Sequence, residues 1–222
     1  MKEYHKIQSI YFRDPENNYK TFLTGQWSTP ELEYLQNAEW LFEEKIDGTN
    51  IRIMYDGQSI KLGGKTDDAQ LHMQLVGNIR TLLGLDGVAE PETLKKWSEI
   101  FVPKEDSPLE VCLYGEGYGP GIQKGGGNYR KEKGFILFDV KIGQMYLTRE
   151  SVRDIARQLN LEVVPEIGRG TLHDGIALVK AGFKSTFGDF MAEGIVARPV
   201  VELKDRRGHR IITKIKHVDF AQ

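Results

Sequence analysis

The sequence predicts an α+β protein in which antiparallel sheets are flanked by helices. Short apolar or alternating stretches that are typical of strands outnumber the segments with helical periodicity. The helical segments interrupt the strands at irregular intervals, without the strand–helix alternation that a parallel sheet requires. A chain of 222 residues with 40% hydrophobic residues can bury a substantial core, so we expect one domain over residues 1–222.

The N-terminal half contains two predicted helices. The first covers residues 30–39, because Pro30 suits the first helical turn, where its missing N–H has no helical partner. The second ends at Leu83 and begins at Asp67 or Asp68, either of which can cap it. Between these helices, apolar runs predict strands at 39–45, 50–55 and 58–63.

In the C-terminal half, apolar residues at helical spacing predict further helices, and apolar or alternating runs predict strands. Thr148 or Ser151 is the expected cap of one helix, whose core stripe includes Ile155 and Leu159. The predicted helices cover 92–101, 148–160 and 171–181, and the predicted strands cover 109–116, 134–141, 194–203 and 210–216.

The composition favours an intracellular protein. Cys112 is the single cysteine, so the chain cannot form an intramolecular disulfide, and its position in an apolar run indicates a buried thiol. No apolar stretch reaches membrane-spanning length, and the first residues lack the apolar core of a signal peptide. We therefore expect a cytoplasmic protein without a membrane partner.

Basic residues are concentrated in two segments, although the net charge of the chain is −2. Residues 204–216 contain Asp205 as their only acidic residue, and residues 124–133 contain only Glu132. Such segments usually form a solvated face, and segments interleaved with glycine and aromatic residues also suit a polyanion. Both interpretations remain open. The basic residues concerned are Lys124, Arg130, Lys131, Lys133, Lys204, Arg206, Arg207, Arg210, Lys214 and Lys216.

The segment around Lys45 contains the strongest candidate for a reactive residue. It reads Glu-Lys-Ile-Asp-Gly-Thr-Asn over residues 44–50, with apolar strands on both sides. A lysine amine can attack the α-phosphate of a nucleoside triphosphate only after it loses its proton, so its pKa must fall below roughly 10.4. Apolar flanks and nearby cations lower a lysine pKa. The alternative is an ordinary surface hairpin, because Asp47-Gly48 is a common turn pair.

Four further groups follow along the chain, each at or near a strand end. Glu116 lies in a glycine-rich turn, Phe138 precedes an acid on an apolar strand, and Glu193 begins a strand. Lys214 and Lys216 alternate with apolar residues, so both face one side of a strand. Each group also has a structural interpretation, as core, as a turn acid or as the solvated face of a strand.

This ordered set of residues is similar to the motifs of the covalent nucleotidyltransferases, which include ATP-dependent DNA ligases, RNA ligases and mRNA-capping enzymes. The similarity extends from about residue 40 to 216. Asn50 stands where DNA ligases and capping enzymes typically have arginine, and it resembles nick-sealing RNA ligases of phages and some bacteria. The start, His5 to Ile10, is similar to that group as well. Lys65 stands where these ligases often have arginine, so it keeps the charge without the bidentate fork.

The resemblance implies a nucleotidyltransferase fold, ATP-grasp-like, and a covalent lysine–AMP intermediate. Lys45 would be the nucleophile, and Lys214 and Lys216 would neutralise the α-phosphate. Backbone groups near Glu44 and Ile46 would read the adenine edge, and Phe138 would stack on its face. The remaining residues expected to contact the nucleotide or the strand end are Asn50, Lys65, Glu116 and Glu193. The carboxylates expected to hold Mg²⁺ or Mn²⁺ are Asp47, Glu116 and Glu193.

The function that the resemblance implies is ATP-dependent joining of 5′-phosphate and 3′-hydroxyl RNA ends, at nicks in duplexes. A DNA ligase, a capping-type enzyme and a non-catalytic nucleic-acid-binding module remain open. Six residues follow Lys216 in the 222-residue chain, so we expect a minimal ligase without the C-terminal domain of its relatives. We also expect a monomer, and the resemblance leaves open a phage-encoded protein that acts in a host cytoplasm.

Overall fold

The structure is a computed structural model that describes residues 3–87, 90–102 and 109–220. The chain divides into two compact units, each with its own hydrophobic core. One unit comprises Asp47–Val163 together with the N-terminal residues up to Tyr4, and the other comprises His5–Ile46 and Val164–Gln222. The chain thus passes from the second unit to the first between Ile46 and Asp47, directly after the candidate lysine.

The secondary structure is mixed, with short strands at the start of the chain and longer ones later. In chain order the strands are β1 (Gln8–Ser9), β2 (Tyr11–Arg13), β3 (Phe22–Trp27), β4 (Trp40–Glu44), β5 (Thr49–Tyr55), β6 (Ile60–Gly63), β7 (Val111–Tyr118), β8 (Gly134–Ile142), β9 (Met145–Tyr146), β10 (Glu162–Val163), β11 (Glu166–Gly170), β12 (Gly194–Pro199) and β13 (Thr213–Lys216). The α-helices are α1 (Pro30–Tyr34), α2 (Met73–Leu83), α3 (Glu90–Ile100), α4 (Arg149–Leu159) and α5 (Leu172–Ala181).

The sheet that carries Lys45 has the strand order β1-β13-β12-β4-β11, and we call it the lysine sheet. Its neighbours pair antiparallel except β1, which pairs parallel with β13 at one edge. Its apolar face packs under α5, where Phe42, Ile195 and Val179 are buried. A capping box between Thr171 and Asp174 begins α5. The polar ends of β4, β12 and β13 are therefore supported by a packed core.

The second sheet has the strand order β10-β8-β7-β5-β6, and β9 pairs with β8. Helices α2, α3 and α4 cover its apolar face through residues such as Leu75, Trp97 and Val152. Cys112 lies in this unit, and burial raises the pKa of its thiol to about 11, as expected for a core cysteine rather than a nucleophile. Strands β5 and β7 place Asn50 opposite Glu116 in register.

The predicted α+β class with antiparallel sheets is confirmed, with two differences in the pairing. Parallel pairs of two residues occur at the edges of both sheets, β1 with β13 and β10 with β8. The hairpin interpretation of Asp47-Gly48 is wrong, because β4 and β5 belong to different sheets. Gly48 is needed for another reason: a Cβ there would overlap the carbonyl oxygen of Gly117. None of the helices in the described ranges is both long and apolar enough to cross a bilayer.

Two predicted helix boundaries are wrong. The helix predicted from Asp67 or Asp68 begins only at Met73, where His72 accepts a hydrogen bond from the N–H of Gln74. Asp67 does not cap it, because its carboxylate pairs with the guanidinium of Arg52 at 2.7 Å. The helix predicted over 30–39 ends at Tyr34, whereas Thr148, one of the two residues expected to cap the helix at 148–160, does cap α4.

A buried ion pair crosses the lysine sheet beside the candidate site. The carboxylate of Glu43 on β4 forms an ion pair with the guanidinium of Arg198 on β12 at 2.9 Å, and the two residues are 1% and 4% exposed. Removing one partner of a buried pair leaves an uncompensated charge, whereas removing both leaves a neutral core.

Arg198→Met should therefore lower the free energy of unfolding by about 3 kcal/mol, and adding Glu43→Leu should recover much of that loss. Urea unfolding of both single variants and the double variant measures the coupling. Arg206→Met, at an exposed arginine, is the control and should change stability by less than about 0.5 kcal/mol. Additive losses in the double variant would show that the pair is not coupled.

Candidate active site around Lys45

Backbone hydrogen bonds fix the segment that carries Lys45. Lys45 follows directly after β4, and its N–H donates to the carbonyl of Gly194 at 2.9 Å. The preceding N–H, of Glu44, donates to the carbonyl of Pro165 at 3.0 Å. Because these two N–H groups are engaged in the protein, neither is free to read an adenine edge. A base would have to be read by other backbone groups of this segment, such as those of Ile46.

The side chain of Glu44 anchors a neighbouring loop. It is 1% exposed, and its carboxylate accepts from the hydroxyl of Ser185 and from the N–H and hydroxyl of Thr186 at 2.9 and 2.7 Å. The sequence alone did not reveal this role, because the partners lie far along the chain. Glu44 thus holds the loop in place beside Lys45.

Glu193 bridges the two lysines expected to act on the nucleotide. One carboxylate oxygen, Oε2, accepts from the Nζ of Lys45 at 2.8 Å, and the other, Oε1, accepts from the Nζ of Lys216 at 2.6 Å. The side chains are 22%, 13% and 29% exposed for Lys45, Glu193 and Lys216. The cluster is thus partly desolvated and remains open to solvent. We call these three residues the lysine bridge.

The lysine bridge depends on close packing of β12 against β13. Gly194 pairs with Lys216 in the strand register, and Ile195 pairs with Glu44, so Glu193 lies between the two lysines. Gly194 has φ of +151°, and a Cβ there would overlap the carbonyl oxygen of Ile215. Only glycine allows this approach without displacing the strand.

Lys214 lies on the same face of β13 as Lys216, as the alternation predicted, with Thr213 and Ile215 buried on the other face. Burial lowers the pKa of Lys214, and the positive charges of Lys216, Lys45, Arg13 and Lys6 lower it further. Among the residues that the structure describes, Lys214 has no carboxylate partner. A partly buried, unneutralised ammonium is suited to bind an anion.

In the other unit, Asn50 and Glu116 are brought together on β5 and β7. The side-chain oxygen of Asn50 is buried and has no hydrogen-bond partner among the described residues. Buried acceptors are normally satisfied, so an unpaired one is suited to a hydroxyl or amine of a ligand. The N–H of Asp47, near Asn50 in sequence, donates to the hydroxyl of Tyr129 at 3.1 Å.

Phe138 and Lys65 occupy supported positions in the same unit. Phe138 is half-buried on β8, with the ring of Tyr4 edge-on at 5.0 Å, so one part of its ring is open to solvent. Lys65 is exposed on a turn that Arg52 holds by donating to the carbonyl of Gly64 at 2.7 Å. The sequence analysis did not identify Arg52 as the residue that holds this turn. Its position between two apolar strand residues, Ile51 and Ile53, was the available sign that it is buried.

Two residues of the predicted basic segments have structural roles. Arg210 is buried and donates to both carboxylate oxygens of Glu202, through its Nε and its Nη2. Arg130 donates to the hydroxyl of Tyr118 at 3.2 Å and to Glu162 at 3.3 Å. Both guanidiniums form hydrogen bonds within the protein. The two basic segments therefore have fewer cations available to bind a polyanion than their sequence suggests.

The residues expected to hold a metal do not form a ready-made cluster. In residues 3–87, 90–102 and 109–220, no group of three or more His, Cys, Asp or Glu side chains could hold a metal ion. Both oxygens of Glu193 accept from lysines, while Asp47 and Glu116 are half-buried in the other unit. Carboxylates remain the ligand type that Mg²⁺ and Mn²⁺ prefer.

The mixed fold with antiparallel sheets is similar to that of solved RNA ligases, which are of the nucleotidyltransferase type. The sequence model of the RNA ligase family matches residues 38–216, and the chain belongs to this family. No curated protein matches the chain.

Solved structures of Naegleria gruberi RNA ligase variants share this fold. One variant with ATP and Mn superimposes with a TM-score of 0.66 at 15% identity, covering 97% of this chain and 56% of that one. Another with ATP and Mn gives 0.62 at 17% identity, covering 84% and 52%. A third, with AMP and Mn, gives 0.62 at 16% identity, covering 96% and 57%. The chain thus spans little more than half the length of these structures.

The lowered pKa of Lys214 predicts a trade-off between stability and anion binding. Because the folded state disfavours the charged form, the unfolded chain binds this proton more tightly, and stability rises as pH rises from the folded pKa towards 10.5. Lys214→Met should therefore raise the unfolding temperature at neutral pH while weakening anion binding. Thermal unfolding across pH 7 to 10 tests this, with exposed Lys180→Met as the control. A lower unfolding temperature for Lys214→Met would contradict the desolvation argument.

Proposed function

We propose that this RNA ligase family member is an ATP-dependent ligase that joins 5′-phosphate and 3′-hydroxyl RNA ends through a lysine–AMP intermediate, at nicks in duplexes. The observation that carries the proposal is the lysine bridge: Glu193 holds Lys45 beside Lys216, with Lys214 unneutralised on the same strand. Lys45 follows β4, and Lys214 and Lys216 lie on β13; these are the two strands that flank β12 in the lysine sheet.

The first step forms a bond between the Nζ of Lys45 and the α-phosphorus of ATP. The bond between that phosphorus and the oxygen that bridges the α- and β-phosphates breaks, and its electron pair leaves with pyrophosphate. The proton of the amine passes to water. An ammonium paired with Glu193 is not a nucleophile, so the pair must separate first. Lys214 and Lys216 then stabilise the negative charge that develops on the phosphate oxygens.

Two further steps complete the proposed reaction. The oxygen of a 5′-phosphate attacks the Lys45 phosphoramide, so the N–P bond breaks and the amine is regenerated. The 3′-hydroxyl then attacks the capped 5′-phosphate, loses its proton to water and expels AMP. The partly accessible ring of Phe138 is suited to stacking on a base, and the unpaired side-chain oxygen of Asn50 is suited to a ribose hydroxyl.

Asp47, Glu116 and Glu193 would hold Mg²⁺ or Mn²⁺, directly or through water. The carboxylate donor set fits such a hard cation, and the Naegleria gruberi structures with Mn support the use of a divalent metal. When bound, the metal supplies charge neutralisation at the triphosphate. Glu193 would become available to it once the lysines are engaged by phosphate.

Lys45→Ala and Lys45→Arg should both abolish the AMP adduct, since alanine has no amine and a guanidinium stays protonated. Intact mass after incubation with ATP and Mg²⁺ or Mn²⁺ measures the adduct as one added AMP. Lys95→Ala, at an exposed lysine on α3 outside the lysine sheet, should keep the adduct. An undiminished adduct in either Lys45 variant would disprove the assignment of the nucleophile.

The same assay separates the other candidate activities. A GMP adduct from GTP would indicate a capping-type enzyme, and no adduct from either nucleotide would indicate a non-catalytic module. Sealing of matched RNA and DNA nicks separates an RNA ligase from a DNA ligase. Family membership leads us to expect preferential sealing of RNA.

The basic loop at 124–133 should bind the phosphates of the RNA substrate. Lys124 and Lys131 are exposed, whereas Arg130 is committed to Tyr118 and Glu162 and should be left intact. Lys124→Gln with Lys131→Gln should spare the AMP adduct, weaken nick sealing, and reduce the salt slope of RNA binding by about two.

The matched control for this loop is Lys95→Gln with Lys96→Gln, which removes the same charge from exposed positions on α3. Adduct formation and nick sealing are measured side by side in the parent and both double variants. If the loop variant loses both steps equally, or seals as well as the parent, the loop is not the docking surface.

A further inference from the structure

A concave pocket lies beside the lysine bridge, between the N-terminal segment and β13. Its volume is about 300 Å³, and its lining includes Lys6, Ser9, Phe12, Arg13, Lys214 and Lys216. The N-terminal wall is fixed to β13 by backbone pairing of Ser9 with Lys214. The proposed catalytic roles do not use this wall, although Lys216 belongs both to the pocket and to the lysine bridge.

The pocket concentrates positive charge that the described residues neutralise only in part. Among the described residues, Lys6 is exposed and has no ion pair, and Lys214 is half-buried and has no carboxylate partner. The carboxylate partner of Arg13, Asp219, lies at 2.7 Å, and Lys216 shares the carboxylate of Glu193 with Lys45. Holding several cations together costs free energy unless an anion joins them.

One of these cations is already oriented. Arg13 donates to Asp219, whose side chain is 5% exposed, and its guanidinium lies over the ring of Phe22 at 5.0 Å from the centroid. A guanidinium held in one geometry loses little conformational freedom when it binds a further anion. The polar wall is continued by the hydroxyl of Ser28, which donates to the carbonyl of Ser9.

We propose that this pocket binds the β- and γ-phosphates of the nucleoside triphosphate and the pyrophosphate that leaves. This assignment rests on the proposed function for the identity of the ligand. Lys214 and Lys216 would contact the α-phosphate at the mouth of the pocket, and Lys6 and Arg13 would contact the more distal phosphates. The N-terminal segment would thereby orient the leaving group while Lys45 attacks.

A compact polyphosphate matches the pocket better than an RNA backbone does. Pyrophosphate carries several charges on adjacent phosphates, and the cations here line one concavity of about 300 Å³. Surfaces that follow an RNA strand instead distribute their cations along an extended groove, since the backbone carries one charge per nucleotide. The exposed ring of Phe12 at the pocket wall is the feature that an RNA base would use, so RNA docking is the competing outcome.

Direct binding of inorganic pyrophosphate tests the proposal without any need for catalysis. Calorimetric titration of the full chain should show that Lys6→Ala binds pyrophosphate about three- to tenfold more weakly than the parent, and Lys6→Glu more weakly still. Lys20→Ala removes the same charge from an exposed turn outside the pocket and should bind as the parent does. AMP, which lacks the distal phosphates, should bind the parent and Lys6→Ala equally.

A second measurement identifies the source of the phosphate. RNA that already carries a 5′-adenylyl cap is sealed without ATP, so Lys6→Ala should seal it at the parental rate while its adduct formation from ATP requires more ATP. Unchanged pyrophosphate binding in both Lys6 variants would overturn the proposal. Loss of capped-RNA sealing with intact pyrophosphate binding would overturn it in favour of RNA docking. If the parent forms no AMP adduct yet the Lys6 variants lose pyrophosphate, the anion site stands and the proposed ligase activity fails.

Discussion

The carboxylate of Glu193 holds two ammonium groups together, and the arrangement of the candidate site depends on it. Two like charges 4 Å apart repel by about 4 kcal/mol at an effective dielectric constant of 20, so an anion between Lys45 and Lys216 offsets a substantial cost of bringing them together. Glu193 supplies one oxygen to each lysine, at 2.8 and 2.6 Å. The rest of the sheet serves this contact: Gly194 lets β12 approach β13, and the backbone of Lys45 is hydrogen-bonded to Gly194.

The lysine bridge also explains why the site can bind and release an anion. Its members are partly exposed, so water screens the ion pairs and keeps them weaker than fully buried ones. The buried pair of Glu43 and Arg198, on the neighbouring strands, has the opposite character and serves the fold. In the proposed reaction a phosphate replaces the carboxylate between the lysines, which frees Glu193 for a metal and leaves the charge of the cluster balanced.

Local sequence predicted the elements better than their connections. The strands around Lys45 and the alternation of Lys214 and Lys216 follow from side-chain periodicity, and Thr148 caps α4 as its side chain allows. Local sequence could not show whether Asp47-Gly48 closes a hairpin or joins two sheets, because distant strands decide that pairing. Local sequence also could not predict the partners of Arg52 and Glu44, because these lie elsewhere along the chain. Strands β1 and β2 could not be predicted because they have too few residues for a periodic pattern.

The N-terminal segment is coupled to the catalytic strand through backbone hydrogen bonds. The N–H of Ile10 donates to the carbonyl of Lys214 at 3.2 Å, and the hydroxyl of Thr213 donates to the carbonyl of Gln8 at 3.0 Å. Because β1 is registered directly on β13, a displacement of this segment would move Lys214 as well as Lys6 and Arg13. The two-residue strand β1 is therefore more than an edge of the sheet. It fixes the spacing between the cations proposed to hold the leaving phosphates and the lysine proposed to hold the reacting one.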